Sequence, residues 1–164
     1  MKYILLVVLL SSSYSIGYTQ SDKTIFYFEA KKNRTFELKL DTISNKMIFR
    51  KFKKQKLLYE LVDDLSDSIV VFSYGYYFRG GGAANAGMDI NVIYFKQRNS
   101  IGVLYYQFES EENSLNIGFN EINLNGRINN FKAIENSFKG NLLDLRFDNI
   151  IPVVENEELN FKED

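Results

Sequence analysis

Phe36, Leu38 and Leu40 alternate with Glu37, Lys39 and Asp41, and the same two-residue period returns along most of the chain. It recurs in Val70, Phe72, Tyr74, Tyr76 and Phe78, in Ile90, Val92 and Tyr94, in Ile101, Val103 and Tyr105, and in Leu115, Ile117 and Phe119. Side chains two apart share one face of a strand, so each run predicts a half-buried β-strand. Ile25 to Ala30, Met47 to Phe52 and the run of Leu57, Tyr59 and Leu61 read the same way, and their close spacing suits an antiparallel meander. The expected fold is all-β, an antiparallel sandwich or an up-and-down barrel of roughly eight to ten strands.

Several details refine this reading. Leu104, Tyr106 and Phe108 are apolar like the opposite face of their run, which places that strand in the middle of a sheet. Asn125-Gly126, between Leu124 and Ile128, predicts a hairpin with a type I′ turn. Phe131, Ile134 and Phe138 have helical spacing with Gly140 as a stop, so one short helix is expected near 131–139. Leu142 to Phe147 then returns to strand, and Pro152 requires an edge.

The N-terminus orders a basic start at Lys2, an apolar run from Ile4 to Leu10, and small residues up to Thr19. That order predicts a secretory signal peptide over 1–19, because the run is too short to span a bilayer. The expected organisation is one β domain over 20–154 followed by an acidic, frayed tail over 155–164. With no cysteine in the chain, the expected setting is a bacterial periplasm or the exterior, with no stable membrane anchor.

Formal charge is −1 and becomes −2 once Lys2 leaves with the signal, so there is no overall basic character to attract nucleic acid. The one basic cluster, Arg50-Lys51 with Lys53, Lys54 and Lys56, surrounds an expected turn and reads as a solvated hairpin end. Asp63, Asp64 and Asp67 lack the glycine and closing glutamate of a calcium loop and read as a polar turn.

Chemistry is bounded by what is missing. The chain has neither histidine nor cysteine, which excludes Ser-His-Asp and Cys-His machinery, ordinary zinc sites and haem ligation by those residues. No metal or cofactor is expected. Catalysis would rest on carboxylates, Tyr, Lys or Arg; Asp89 with Glu109 is the one pair to nominate, nothing in the sequence places the two opposite one another, and the chain is not read as an enzyme.

The most distinctive stretch is YGYYFRGGGAANAGMD, Tyr74 to Asp89, which joins two strands through glycine, alanine and asparagine. Glycine permits positive φ or close backbone approach and loses much entropy on ordering. No helix follows to supply a phosphate cradle, and the P-loop pattern is absent. Tyr and Arg dominate binding hot spots, so the stretch reads as a recognition loop. Its expected partner-binding residues are Tyr76, Tyr77, Phe78, Arg79, Gly80, Gly81, Gly82, Asn85 and Asp89. FRGGG followed by NAG and D-x-N, within Tyr76 to Phe95, resembles a pattern in small exported bacterial β-proteins of unassigned function. The resemblance implies export and a shared fold, and no activity.

Two functions follow as expectations. One is an exported protein-binding module of the inhibitor or immunity type, whose loop meets another protein, an enzyme or toxin. The alternative is a lipocalin-like barrel whose interior holds an apolar small molecule.

Overall fold

Most strands are of similar length and pair with a neighbour in sequence. The computed structural model describes residues 22–67, 71–82, 86–97 and 99–153; the expected signal peptide and acidic tail lie outside them. The first four strands are β1 (Asp22–Ala30), β2 (Arg34–Asp41), β3 (Lys46–Lys53) and β4 (Lys56–Asp64). The second series comprises β5 (Phe72–Arg79), β6 (Met88–Gln97), β7 (Ser100–Glu109), β8 (Ser114–Asn123) and β9 (Ile128–Lys132). The two-residue β10 (Lys139–Gly140) and the short α1 (Leu145–Asp148) follow.

Two five-stranded antiparallel sheets result, ordered β10-β1-β2-β3-β4 and β5-β6-β7-β8-β9. The arrangement is a sandwich and not a closed barrel. β7 is the central strand of the second sheet, as its two apolar faces predict. Its inner face meets the main core, while Val103 and Tyr105 on its outer face join Val92 in a small second cluster with Ile90, Tyr94 and Ile122 around it.

Aromatic rings fill the space between the sheets. Phe49 lies 4.5 Å from Phe95 and 5.3 Å from Phe119 between ring centroids, and Phe36 stands 5.1 Å from Phe119 and 5.3 Å from Phe131. Such pairs each contribute about 0.5–1.5 kcal/mol beyond the area they bury. Two glycines make room for rings: a Cβ on Gly102 would come within 2.4 Å of Phe95, and one on Gly118 within 2.3 Å of the Tyr105 hydroxyl.

Polar groups fasten the corners. Asp63 is buried at the end of β4, and its Oδ2 accepts from the backbone N–H of Val71 at 2.7 Å and of Phe72 at 3.1 Å, turning the chain from one sheet to the other. At the diagonal corner Ala133 donates to the Ile117 carbonyl at 2.9 Å and Ile134 to that of Glu29 at 2.7 Å, so the end of β9 touches both sheets. On the edge strand β5, Tyr74 donates to the Pro152 carbonyl at 2.8 Å, where a proline's missing N–H does no harm.

Three local expectations are corrected. The hairpin at Asn125-Gly126 exists, but only Gly126 has positive φ (80°) and Asn123 N donates to the Arg127 carbonyl at 2.9 Å, which makes a three-residue loop in place of type I′. Residues 131–139 form no helix, because Phe131 is claimed by β9 and Lys139 by β10, where partner strands supply hydrogen bonds that an isolated turn of helix would lack. The helix lies instead at Leu145–Asp148, inside the stretch expected to be strand.

Candidate functional site

The register of β5 with β6 pairs Tyr74 with Ile93, Tyr76 with Asn91, Phe78 with Asp89 and Arg79 with Met88. Directly paired residues share a face, so Tyr76, Phe78, Asp89 and Asn91 turn toward the sandwich interior while Tyr77 and Arg79 turn outward. Depth then separates the aromatics. Tyr74 is fully buried, Tyr76 half-buried, and Phe78, at the open end of the same face, is 61% exposed.

The connection after Arg79 is anchored at its base. Gly87 donates its N–H to Ser110 Oγ at 2.6 Å and accepts from Ser110 N at 2.9 Å, which ties the loop to the β7–β8 turn. Arg79 folds back, donating from Nε to the Ala86 carbonyl at 3.1 Å. Gly80, Gly81 and Gly82 are exposed; at Gly80 and Gly82 a Cβ would meet nothing within 4 Å. Neither of these two has positive φ, so packing and turn geometry leave their composition unexplained. Gly87 is the crowded one, since a Cβ there would lie 3.1 Å from the Gly81 nitrogen. Asn85 lies outside the described residues.

Beneath the loop is a polar network that sequence reasoning missed. Arg146 of α1 places Nη2 2.5 Å from Asp89 Oδ1 and 2.9 Å from Asn91 Oδ1. Asn91 is fully buried; its Oδ1 also accepts from the Tyr74 hydroxyl at 2.5 Å, and its Nδ2 donates to Asp89 Oδ1 at 2.9 Å. The guanidinium lies 4.4 Å above the Tyr76 ring and 5.8 Å from that of Phe78. Burial opposes the charge on Arg146, but Asp89 and Tyr74 outweigh it and hold the guanidinium above its ordinary value. The Tyr74 phenol is pushed up by burial, against the lowering effect of Arg146.

A signal for this network was present in the sequence. Asp89 and Asn91 stand at inward positions of an alternating run, and an inward carboxylate requires a cation; Arg146 is set among Leu142, Leu143, Leu145 and Phe147. Reading 142–147 as a strand hid the connection.

Asp89 and Glu109 do not form a catalytic pair. Asp89 pairs across the sheet with Phe108, whereas Glu109 pairs with Met88, so the two carboxylates lie on opposite faces. Glu109 Oε1 accepts from Gln107 Nε2 at 2.6 Å, and Asp89 is taken up by Arg146. Among the described residues no group of His, Cys, Asp and Glu is placed to hold a metal ion.

No family model, curated protein or solved structure matches this chain. The site therefore has to be read from its own geometry. Its nominated residues divide in two: Tyr76 and Asp89 belong to the supporting network, and Tyr77, Phe78, Arg79 and Gly80 to Gly82 form the exposed tip.

Proposed function

We propose that this chain is an exported protein-binding module of the inhibitor or immunity type, meeting a partner protein through the tip of the β5–β6 loop. The observation that carries the reading is Phe78, a 61% exposed aromatic held beside the 38% exposed Tyr77 and the exposed Arg79 on an anchored hairpin. An aromatic and a guanidinium on a supported rim are the chemistry of a binding hot spot, and the Arg146 network beneath limits the rearrangement that binding would require. Export is supported by the N-terminal order of Lys2, the apolar run Ile4 to Leu10, and the small residues before Gln20.

The lipocalin-like alternative loses support from the interior, where Phe49, Phe95 and Phe119 pack ring against ring. A ligand carrier needs that volume empty.

A photocrosslinking amino acid placed at position 78 tests the reading in an extract of the cell envelope. A discrete adduct at 78 that is missing when the same group stands at Leu124, which is 79% exposed on the β8–β9 turn, is the expected result. Equal labelling from both positions, or none from 78, would reject the loop as the contact.

A further inference from the structure

Away from the loop, basic residues of the β1–β2 turn, β2, β3 and β9 line one cleft. The cleft has a volume of about 860 Å³, and its cationic lining comprises Lys31, Lys32, Arg34, Lys51 and Lys132, against the carboxylates Glu121 and Glu135. Lys51 forms the floor. Only 8% exposed, it donates to Glu121 Oε1 at 3.1 Å and lies 5.1 Å from the Phe131 ring and 5.8 Å from that of Phe119. Lys51 and Glu121 neutralise one another, which leaves four cations against one carboxylate around the rim. In a chain whose formal charge is −1, that is a concentrated excess.

Arg34 stands over Phe131 with its Cζ 4.8 Å from the ring centroid, and its Nε is buried without a hydrogen-bond partner. Among the described residues, none of Lys31, Lys32, Arg34 and Lys132 has an ion pair. The β1–β2 turn, which carries part of the rim, and the β3–β4 turn bonded to it, which does not line the cleft, are also unusual. Lys32 and Asn33 in one, and Lys54 and Gln55 in the other, have positive φ between 49° and 64°, and Lys54 N donates to the Asn33 carbonyl at 2.9 Å. Glycine relieves the strain of this backbone, yet both turns carry lysine where it would fit.

We propose that this cleft binds a ligand bearing two or more phosphate or sulfate groups. Cations from the β1–β2 turn, β2 and β9 border one hollow that is too large for a single tetrahedral anion, and the planar guanidinium of Arg34 in its wall suits such oxygens. The same chemistry occurs in a free oligoanion and in an anionic lipid surface.

Titration calorimetry at about 0.15 M salt, where exposed charges act over ~8 Å, separates these sources. Inorganic tripolyphosphate is one probe, and vesicles of phosphatidylglycerol in phosphatidylcholine are the other. Saturable binding of either is expected, weakened roughly tenfold in the triple variant Lys31→Gln/Lys32→Gln/Lys132→Gln. It is expected to be unchanged within about twofold in Lys23→Gln/Lys46→Gln/Lys139→Gln, which removes equal charge from residues that do not line the cleft, and in Arg79→Ala. All three rim lysines are exposed, and thermal unfolding of each variant confirms that the fold is intact. Tripolyphosphate binding alone assigns a soluble ligand, and vesicle binding alone a surface. Absence of both, or equal loss in the two triple variants, overturns the site.

Discussion

Arg146 and Asp89, 57 residues apart, meet through a charged hydrogen bond of 2.5 Å at the N-terminal end of β6. Both side chains are mostly buried, at 14% and 17% exposure. Removing one partner leaves the other charge in a poorly solvated place, which costs more than the pair contributes. Arg146→Met should destabilise the fold by about 2–4 kcal/mol in urea unfolding. The double variant Arg146→Met/Asp89→Asn should recover a substantial part of that loss. A double variant no more stable than the single one would show that Arg146 acts through its packing on Tyr76 and not through charge.

Shortening the loop should separate stability from binding. Replacing residues 80–86 with Asn-Gly keeps the Gly87–Ser110 pair of hydrogen bonds, and the cost of loop length changes only with its logarithm. The thermal midpoint is expected to stay within a few degrees or to rise, while crosslinking from position 78 disappears. Extending the replacement through Gly87 removes both bonds to Ser110 and should lower stability by about 1–3 kcal/mol. Equal stability of the two deletions would show that the anchor contributes nothing.

Tyrosines set the alkaline limit. Burial raises the Tyr74 and Tyr105 phenols above the ordinary value of 10.0; Arg146 partly offsets this for Tyr74, and the Asn130 side chain does so for Tyr105. A group whose pKa is higher in the folded than in the unfolded chain contributes stability that is fully present below the unfolded value and is lost as pH rises through the folded one. Stability is therefore expected to be flat with respect to these groups up to about pH 10 and to fall above it. The Asn130 side chain approaches the buried Tyr105 hydroxyl without completing a hydrogen bond, so Tyr105→Phe should leave stability at pH 7 unchanged or raise it by up to about 1 kcal/mol, and should reduce the alkaline loss. Urea midpoints from pH 7 to 11 check both parts.

Period two was enough to read β2 from Phe36, Leu38 and Leu40, which face the main core, and β6 from Ile90, Val92 and Tyr94, although that run belongs to the small outer cluster and Ile93 and Phe95 face the core. It could not distinguish sandwich from barrel. That choice depends on the corners, where Asp63 turns the chain by accepting two backbone N–H groups, a role invisible in a run of aspartates. Short segments failed for a related reason: residues 131–148 have too few positions for any period to assert itself, and strand partners far away in sequence decided their state. At the candidate site, the exposed tip was legible from composition. The split of its residues into tip and support was not, since it depends on Arg146.

β1 to β4 form one meander and β5 to β9 another, and within each the strands pair with neighbours in sequence. Contacts of this kind form early and quickly as a chain leaves the ribosome. The outer edges of β1 and β5 are different, for they are covered by Lys139–Gly140 and by the backbone around Pro152 and Val153, the last described stretch of the chain. Until that stretch has been made, a nascent molecule carries two open strand edges able to template pairing with another copy. Residues 139–153 therefore act as the closure of these two edges, while β4 and β9 keep their places at the sheet margins.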